Sequence, residues 1–94
     1  MTINQDSVKN DWKSRGFTCD LWTDPPGQSW ENFVHDTDEL LMIVSGKLEV
    51  IIDNKPHYPE EGEEVLIPKG AMHSVKNIGD QPCEWLYGYE VPHD

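Results

Sequence analysis

Hydrophobic and polar residues along this chain fall into short blocks, not long periodic runs. From Phe17 onward turn formers recur every several positions: Pro25-Pro26-Gly27, Gly46, Asp53-Asn54, Pro56, Pro59, Gly62, Pro68, Gly70, Asn77, Gly79-Asp80 and Pro82. Short segments between frequent turn signals are the mark of a β-sandwich or barrel. No helical period of useful length fits between them. The pattern predicts strands over residues 18–22, 29–35, 39–45, 48–53, 64–67, 73–77 and 83–91. In Leu48–Ile52 the even positions are apolar, with Glu49 and Asp53 on the other face. In Glu84–Glu90 the aromatic residues Trp85, Tyr87 and Tyr89 share the odd face. Leu40–Val44 is apolar on both faces, which suits a central strand or one beneath a subunit interface. Val44–Leu48 reads as a tight hairpin around Gly46. The polar start predicts a loose N-terminal arm over residues 1–16, with at most a helical turn over Asp11–Arg15.

Composition narrows the class. Ninety-four residues suffice for one domain, residues 1–94, with no room for a second core. A chain this short buries only roughly two-thirds of its unfolded surface, so the four tryptophans matter. A second subunit would add burial, and the expectation is a homodimer. Seven Lys and Arg against eighteen Asp and Glu leave a net charge of −11. Such a surface repels phosphate backbones and anionic membranes, so no nucleic-acid or membrane partner is expected. Cys19 and Cys83 are too few for a disulfide framework and lack CxxC spacing. No basic region followed by an apolar stretch opens the chain, and no run approaches membrane-spanning length. The expectation is a cytoplasmic protein.

The chemistry sits in the histidines. His35 precedes Glu39 by four residues, a separation of about 13 Å on a straight strand. The intervening Asp36-Thr37-Asp38 forms turns readily, so the chain can fold back there and bring both side chains inward. A helix would also place them on one face, at i and i+4, but Gly46 follows too soon to favour it. His73 follows another turn, Pro68–Met72. Two imidazoles and one carboxylate make a set suited to iron, manganese, nickel or zinc, with coordination positions left open. The opposing reading is that Glu39 hydrogen-bonds both histidines with no metal at all.

Gly27, Phe33, His35, Glu39 and Gly46 are separated by five, one, three and six residues. Gly62, Pro68, Gly70, His73 and Asn77 are separated by five, one, two and three, and fifteen residues lie between the two groups. This pair of motifs resembles the two conserved motifs of the cupin superfamily, specifically its small single-domain, cupin-2-like members. The resemblance implies an all-β double-stranded β-helix, a jelly-roll barrel, with one divalent metal ion near its mouth. It carries the ligand positions to His35, Glu39 and His73. Phe33 departs from the pattern, standing where the family usually has the first histidine of a His-x-His pair. An inward Phe binds no metal, so the site has at most three family ligands and one apolar wall.

Phe33, Tyr87 and Tyr89 are the candidate substrate-binding residues, although an aromatic face is more often core than ligand box. Trp12, Trp22 and Trp30 fit lid, core or dimer contact equally. Tyr87, Tyr89 and His57 are the available acids or bases, and none is marked by a motif, so the catalytic residues are unassigned. His57 reads as a loop residue and His93 as one near the chain end. Cys83 reads as a small buried filler, and the Glu60–Glu64 cluster as a solvated turn around Gly62. The functional expectation is a small metal-binding barrel whose activity the sequence leaves open. One reading is a metal-dependent enzyme on a small organic substrate, of oxygenase, isomerase or decarboxylase type. The others are a non-catalytic barrel that binds or senses a small molecule, with or without metal, and a metal-free barrel kept for its fold or its partner contacts.

Overall fold

The computed structural model describes residues 3–91; His93 lies outside the described residues. One helix, α1 (Gln5–Ser14), precedes eight strands: β1 (Asp20–Asp24), β2 (Ser29–Phe33), β3 (Glu39–Ser45), β4 (Leu48–Ile52), β5 (Lys55–His57), β6 (Glu64–Ile67), β7 (His73–Asn77) and β8 (Cys83–Tyr89). They form two four-stranded antiparallel sheets, ordered β1-β8-β3-β6 and β2-β7-β4-β5. The chain changes sheet at nearly every connection, which is the jelly-roll arrangement expected from the motifs. Among the described residues no helix is long and apolar enough to cross a membrane.

The alternation corrects the hairpin expected at Gly46 and the fold-back into a paired strand expected between His35 and Glu39. Gly46 does not join paired strands, because β3 and β4 belong to different sheets. A register irregularity between Ile43 and Ser45 turns the end of β3 away, and Gly46 at φ 107° takes the chain across to β4. The turn between His35 and Glu39 likewise links β2 to β3 in the opposite sheet. The tight hairpin is at Asp53-Asn54, both with positive φ (48° and 69°). That is the backbone of a two-residue turn matched to strand twist, and it pairs β4 with the short β5. His57 therefore ends an exposed strand and is not in a loop.

Nor do residues 3–16 form a loose arm. Asn4 caps α1 by accepting from the Ser7 N–H at 3.1 Å. At the other end Phe17 N–H bonds Trp12 O and Gly16 N–H bonds Lys13 O, with Gly16 at φ 88°; this is a Schellman closure. One residue of the helix, Trp12, is completely buried. It packs with Leu40, Met42 and Leu86 against the outer face of the β3–β8 pair. Trp12 Nε1 and the Arg15 guanidinium both donate to Glu64 of β6, at 2.8–3.0 Å. This explains why Leu40–Val44 is apolar on both faces: one face meets the opposite sheet and α1 covers the other. The inter-sheet core is built from Leu41, Ile43, Leu48, Val50, Ile67 and Val75, with Cys83 and Trp85. Cys83 is buried, as expected of a filler, and lies against Gly46.

Candidate metal centre

Each of the three expected ligands sits where a strand begins or has just ended. Glu39 opens β3, His73 opens β7, and His35 lies two residues beyond β2. The loop carrying His35 is fastened by backbone contacts. His35 O accepts from Gly70 N–H at 3.0 Å, and Asp38 O accepts from Glu90 N–H at 3.0 Å. The Asp38 carboxylate accepts from Lys69 N–H at 2.7 Å. The second motif thus pins the turn of the first.

Strand β2 contains a bulge that fixes which side chains face inward. Its register with β7 slips between Trp30, opposite Val75, and Phe33, opposite His73. Asn32 takes φ 61° there and its N–H donates to Ser74 Oγ. Residues three apart on a regular strand face opposite sides. The extra residue brings Trp30 and Phe33 to the same side, and His35, two further on, joins them.

His35, Glu39 and His73 converge, their candidate ligand atoms all within 4.8 Å of one another. Glu39 Oε1 stands 3.3 Å from His73 Nε2 and 3.5 Å from His35 Nε2. Glu39 and His73 are buried and His35 is partly exposed. Neither contact has hydrogen-bond geometry, and Glu39 Oε1 is a buried oxygen with no hydrogen-bond partner among the described residues. Such an atom is costly unless something else satisfies it. His73 Nδ1 lies 3.4 Å from Ala71 O. A carbonyl only accepts, so Nδ1 carries the proton and the Nε2 lone pair of the neutral ring points toward Glu39. The neighbouring Glu39 carboxylate raises the His73 pKa above the ordinary imidazole value, against the lowering effect of burial.

These observations fit a metal ion. Ligand atoms about 2.1 Å from one ion lie roughly 3.0–3.4 Å from each other in octahedral or tetrahedral arrangement, close to the two carboxylate–imidazole distances. The orphaned oxygen is one an ion would satisfy. Phe33 stands against both imidazoles, with ring centroids 6.3 Å from His35 and from His73. It supplies an apolar wall where a fourth ligand would stand.

The group closes one end of a cavity of about 240 Å³ lined otherwise by Trp22, Trp30, Phe33, Trp85, Tyr87 and Tyr89. All three residues expected to meet a substrate, Phe33, Tyr87 and Tyr89, line it. Trp85, Tyr87 and Tyr89 are thus cavity wall, and only Trp85 also belongs to the buried core. Burial, then the Glu39 charge, pushes the Tyr89 hydroxyl up to about 12, so it stays protonated at neutral pH. His57 does not line the cavity and is exposed on β5.

The wall has an organising residue that the sequence reading missed. Asp24, at the end of β1, is 1% exposed. Its Oδ1 accepts from Trp22 Nε1 at 2.7 Å and Trp30 Nε1 at 3.1 Å. Its Oδ2 accepts from Trp30 Nε1 at 3.2 Å and Trp85 Nε1 at 3.0 Å. One carboxylate holds three indoles from three strands and both sheets. The available signal was the Trp22-x-Asp24 spacing, which puts both on one face of β1. Trp30 and Trp85 join only through the fold.

Comparison with known proteins agrees with this fold. Residues 20–89 match the family Cupin_2, the cupin domain. Protein SchB of Streptomyces halstedii is 34% identical over 63 residues, which cover 66% of this chain and 46% of that protein. The chain therefore spans less than half the length of that curated relative. The Cupin_2 domain of an XRE family transcriptional regulator from Enterobacter cloacae superposes with TM-score 0.74 at 21% identity, covering 87% of this chain and 90% of that one. A sugar phosphate isomerase of the cupin superfamily from Silicibacter pomeroyi superposes with TM-score 0.71 at 25% identity, covering 82% of this chain and 52% of that one.

Proposed function

The chain belongs to the Cupin_2 family of cupin domains, and from that premise we propose that it is a metal-dependent enzyme acting on a small organic molecule. His35, Glu39 and His73 would hold one divalent ion of iron, manganese, nickel or zinc. The observation that carries this reading is the buried, unpartnered Glu39 Oε1 set between two imidazole nitrogens. Such an ion, when bound, supplies Lewis-acid or oxygen-binding chemistry at its open coordination positions.

The protein's own residues define what reaches those positions. The aromatic wall excludes water and accepts the apolar part of a ligand, and a cavity of about 240 Å³ admits only a small one. Phe33, although 40% exposed, sets an apolar ring on one side of the centre. Tyr89 faces His35 edge-on with centroids 4.9 Å apart. Its neutral hydroxyl is suited to donating a hydrogen bond to a ligand oxygen, not to removing a proton. The shortage of bases favours a second reading, a non-catalytic small-molecule binder. Among the described residues, the cavity lining carries no titratable group beyond the three ligand residues except Tyr87 and Tyr89.

Cobalt(II) substitution tests the proposal. Chelator-stripped protein loaded with cobalt should develop visible absorption that is absent in Glu39→Gln and shifts when acetohydroxamate is added. An identical spectrum in Glu39→Gln would remove the ligand assignment, and one insensitive to acetohydroxamate would remove the open positions. Turnover of any substrate from a metal-loaded screen separates enzyme from binder.

A further inference from the structure

Asp24 is a buried carboxylate without a cationic partner among the described residues. Each of its side-chain hydrogen bonds comes from a neutral indole, and neither Lys nor Arg lines the cavity beside it. Both oxygens act only as acceptors, the behaviour of an ionised carboxylate. A buried charge lacking an opposite charge is expensive to maintain. Here it lies behind an aromatic wall that opens to a cavity.

The rings of that wall form a box, not a slot. Trp22 meets Trp30 at 71° with centroids 6.0 Å apart. Trp85 meets Tyr87 at 55° and 5.6 Å, and Tyr87 meets Tyr89 at 69° and 6.0 Å. A flat ligand stacks on one wall of such a box and misses the rest, whereas a compact group without a preferred face touches several. The indole N–H groups are all engaged with Asp24, so the three tryptophans offer a ligand π surface and no donor. Hydrogen bonding of those N–H groups to an anion also pushes electron density into the rings, which deepens their attraction for positive charge.

We propose that this box binds a compact organic cation, of the methylated ammonium class, with the Asp24 carboxylate as counter-charge transmitted through the three indoles. The net charge of −11 draws such a cation toward the protein. The inference rests on the reading of this cavity as a small-molecule site and does not need the ion at its other end.

The test is calorimetric titration of the full chain, stripped with chelator, using choline and its neutral carbon isostere, dimethylbutanol. Choline should bind roughly tenfold or more tightly than the isostere. Trp22→Leu keeps an apolar wall at a half-exposed position and should bring the two affinities together. Asp24→Asn should do the same, provided its circular dichroism matches the parent. Equal affinities in the parent protein, preference for the isostere, or no choline binding at millimolar concentration would each overturn the proposal. Failure there leaves the metal assignment standing, because no metal is present. Conversely, cation binding by a protein that never loads metal would refute only the metal reading.

Discussion

Replacing Asp24 by Asn changes one atom and should cost the fold far more than that suggests. The carboxylate uses both oxygens as acceptors, Oδ1 for Trp22 and Trp30 and Oδ2 for Trp30 and Trp85. An amide has a single acceptor oxygen and places an NH₂ group against indole N–H donors. If its oxygen takes the Oδ1 place, the buried Trp85 N–H loses its acceptor; if it takes the Oδ2 place, Trp22 does, and Trp30 keeps one longer contact. Trp22 is 42% exposed and can turn to water, so the amide should settle toward Trp85. The donor left over is then the half-exposed Trp22 N–H, so the loss lies at the low end of the about 1–3 kcal/mol of a buried unmade donor, with the donor–donor contact adding to it. Together they give a destabilisation of about 1–2 kcal/mol, offset in part because the buried charge disappears. Urea unfolding followed by tryptophan fluorescence reads this directly, and the emission itself should shift as the indoles lose their shared acceptor. An Asp24→Asn protein as stable as the parent, with unchanged emission, would refute the claim that Asp24 organises the wall.

Four further outcomes follow from the same structure. Trp12→Ala empties a fully buried site and should cost about 3–5 kcal/mol in urea unfolding, whereas Arg15→Ala, at a half-exposed ion pair, should cost under about 1 kcal/mol. Gly46→Ala combines φ 107° with a Cβ 2.9 Å from the Cys83 backbone and should lower the thermal midpoint by about 5–15 °C; an unchanged midpoint would show that the sheet-to-sheet crossing is not constrained there. Phe33→His places an imidazole opposite His73 and should tighten metal binding by about tenfold or more, measured by chelator competition. The last concerns pH. The Glu39 carboxylate raises the His73 pKa in the folded protein. In metal-free protein this contact therefore contributes stability in full below the unfolded imidazole value of about 6.5 and loses it as pH rises through the folded value. Metal binding has the opposite sign, because protons compete for the imidazole. The rise in thermal midpoint on adding metal should shrink as pH falls toward about 5, and a constant rise would contradict the role given to His73.

The residues at the mouth were legible because their spacing is local to two motifs that each fold as a turn entering a strand. His35, Glu39 and His73 meet as expected, and Phe33 stands where the motif places it. Strand positions were legible wherever turn formers bracket apolar pairs, as at Glu39–Ser45, Glu64–Ile67 and His73–Asn77. The sheet to which a strand belongs was not. A Gly-centred turn such as Gly46 serves a hairpin or a crossing equally well, and long-range pairing decides between them. The bulge at Asn32 was hidden for a similar reason: Ser29–His35 has no clear alternation, and only pairing with β7 sets its register. Helix α1 carries one buried side chain, Trp12, too little for a recognisable apolar stripe. The grip of Asp24 on Trp22, Trp30 and Trp85 joins β1, β2 and β8 across 61 sequence positions, beyond the reach of any local pattern.

Elemental analysis of the purified, untagged chain beside its His73→Ala variant tests the metal centre most directly. Near one equivalent of iron, manganese, nickel or zinc in the parent, lost in the variant while the β-sheet circular dichroism persists, is the expected result. Protein that stays metal-free after incubation with each ion, or a variant that keeps the same metal content, would contradict a centre built on His35, Glu39 and His73.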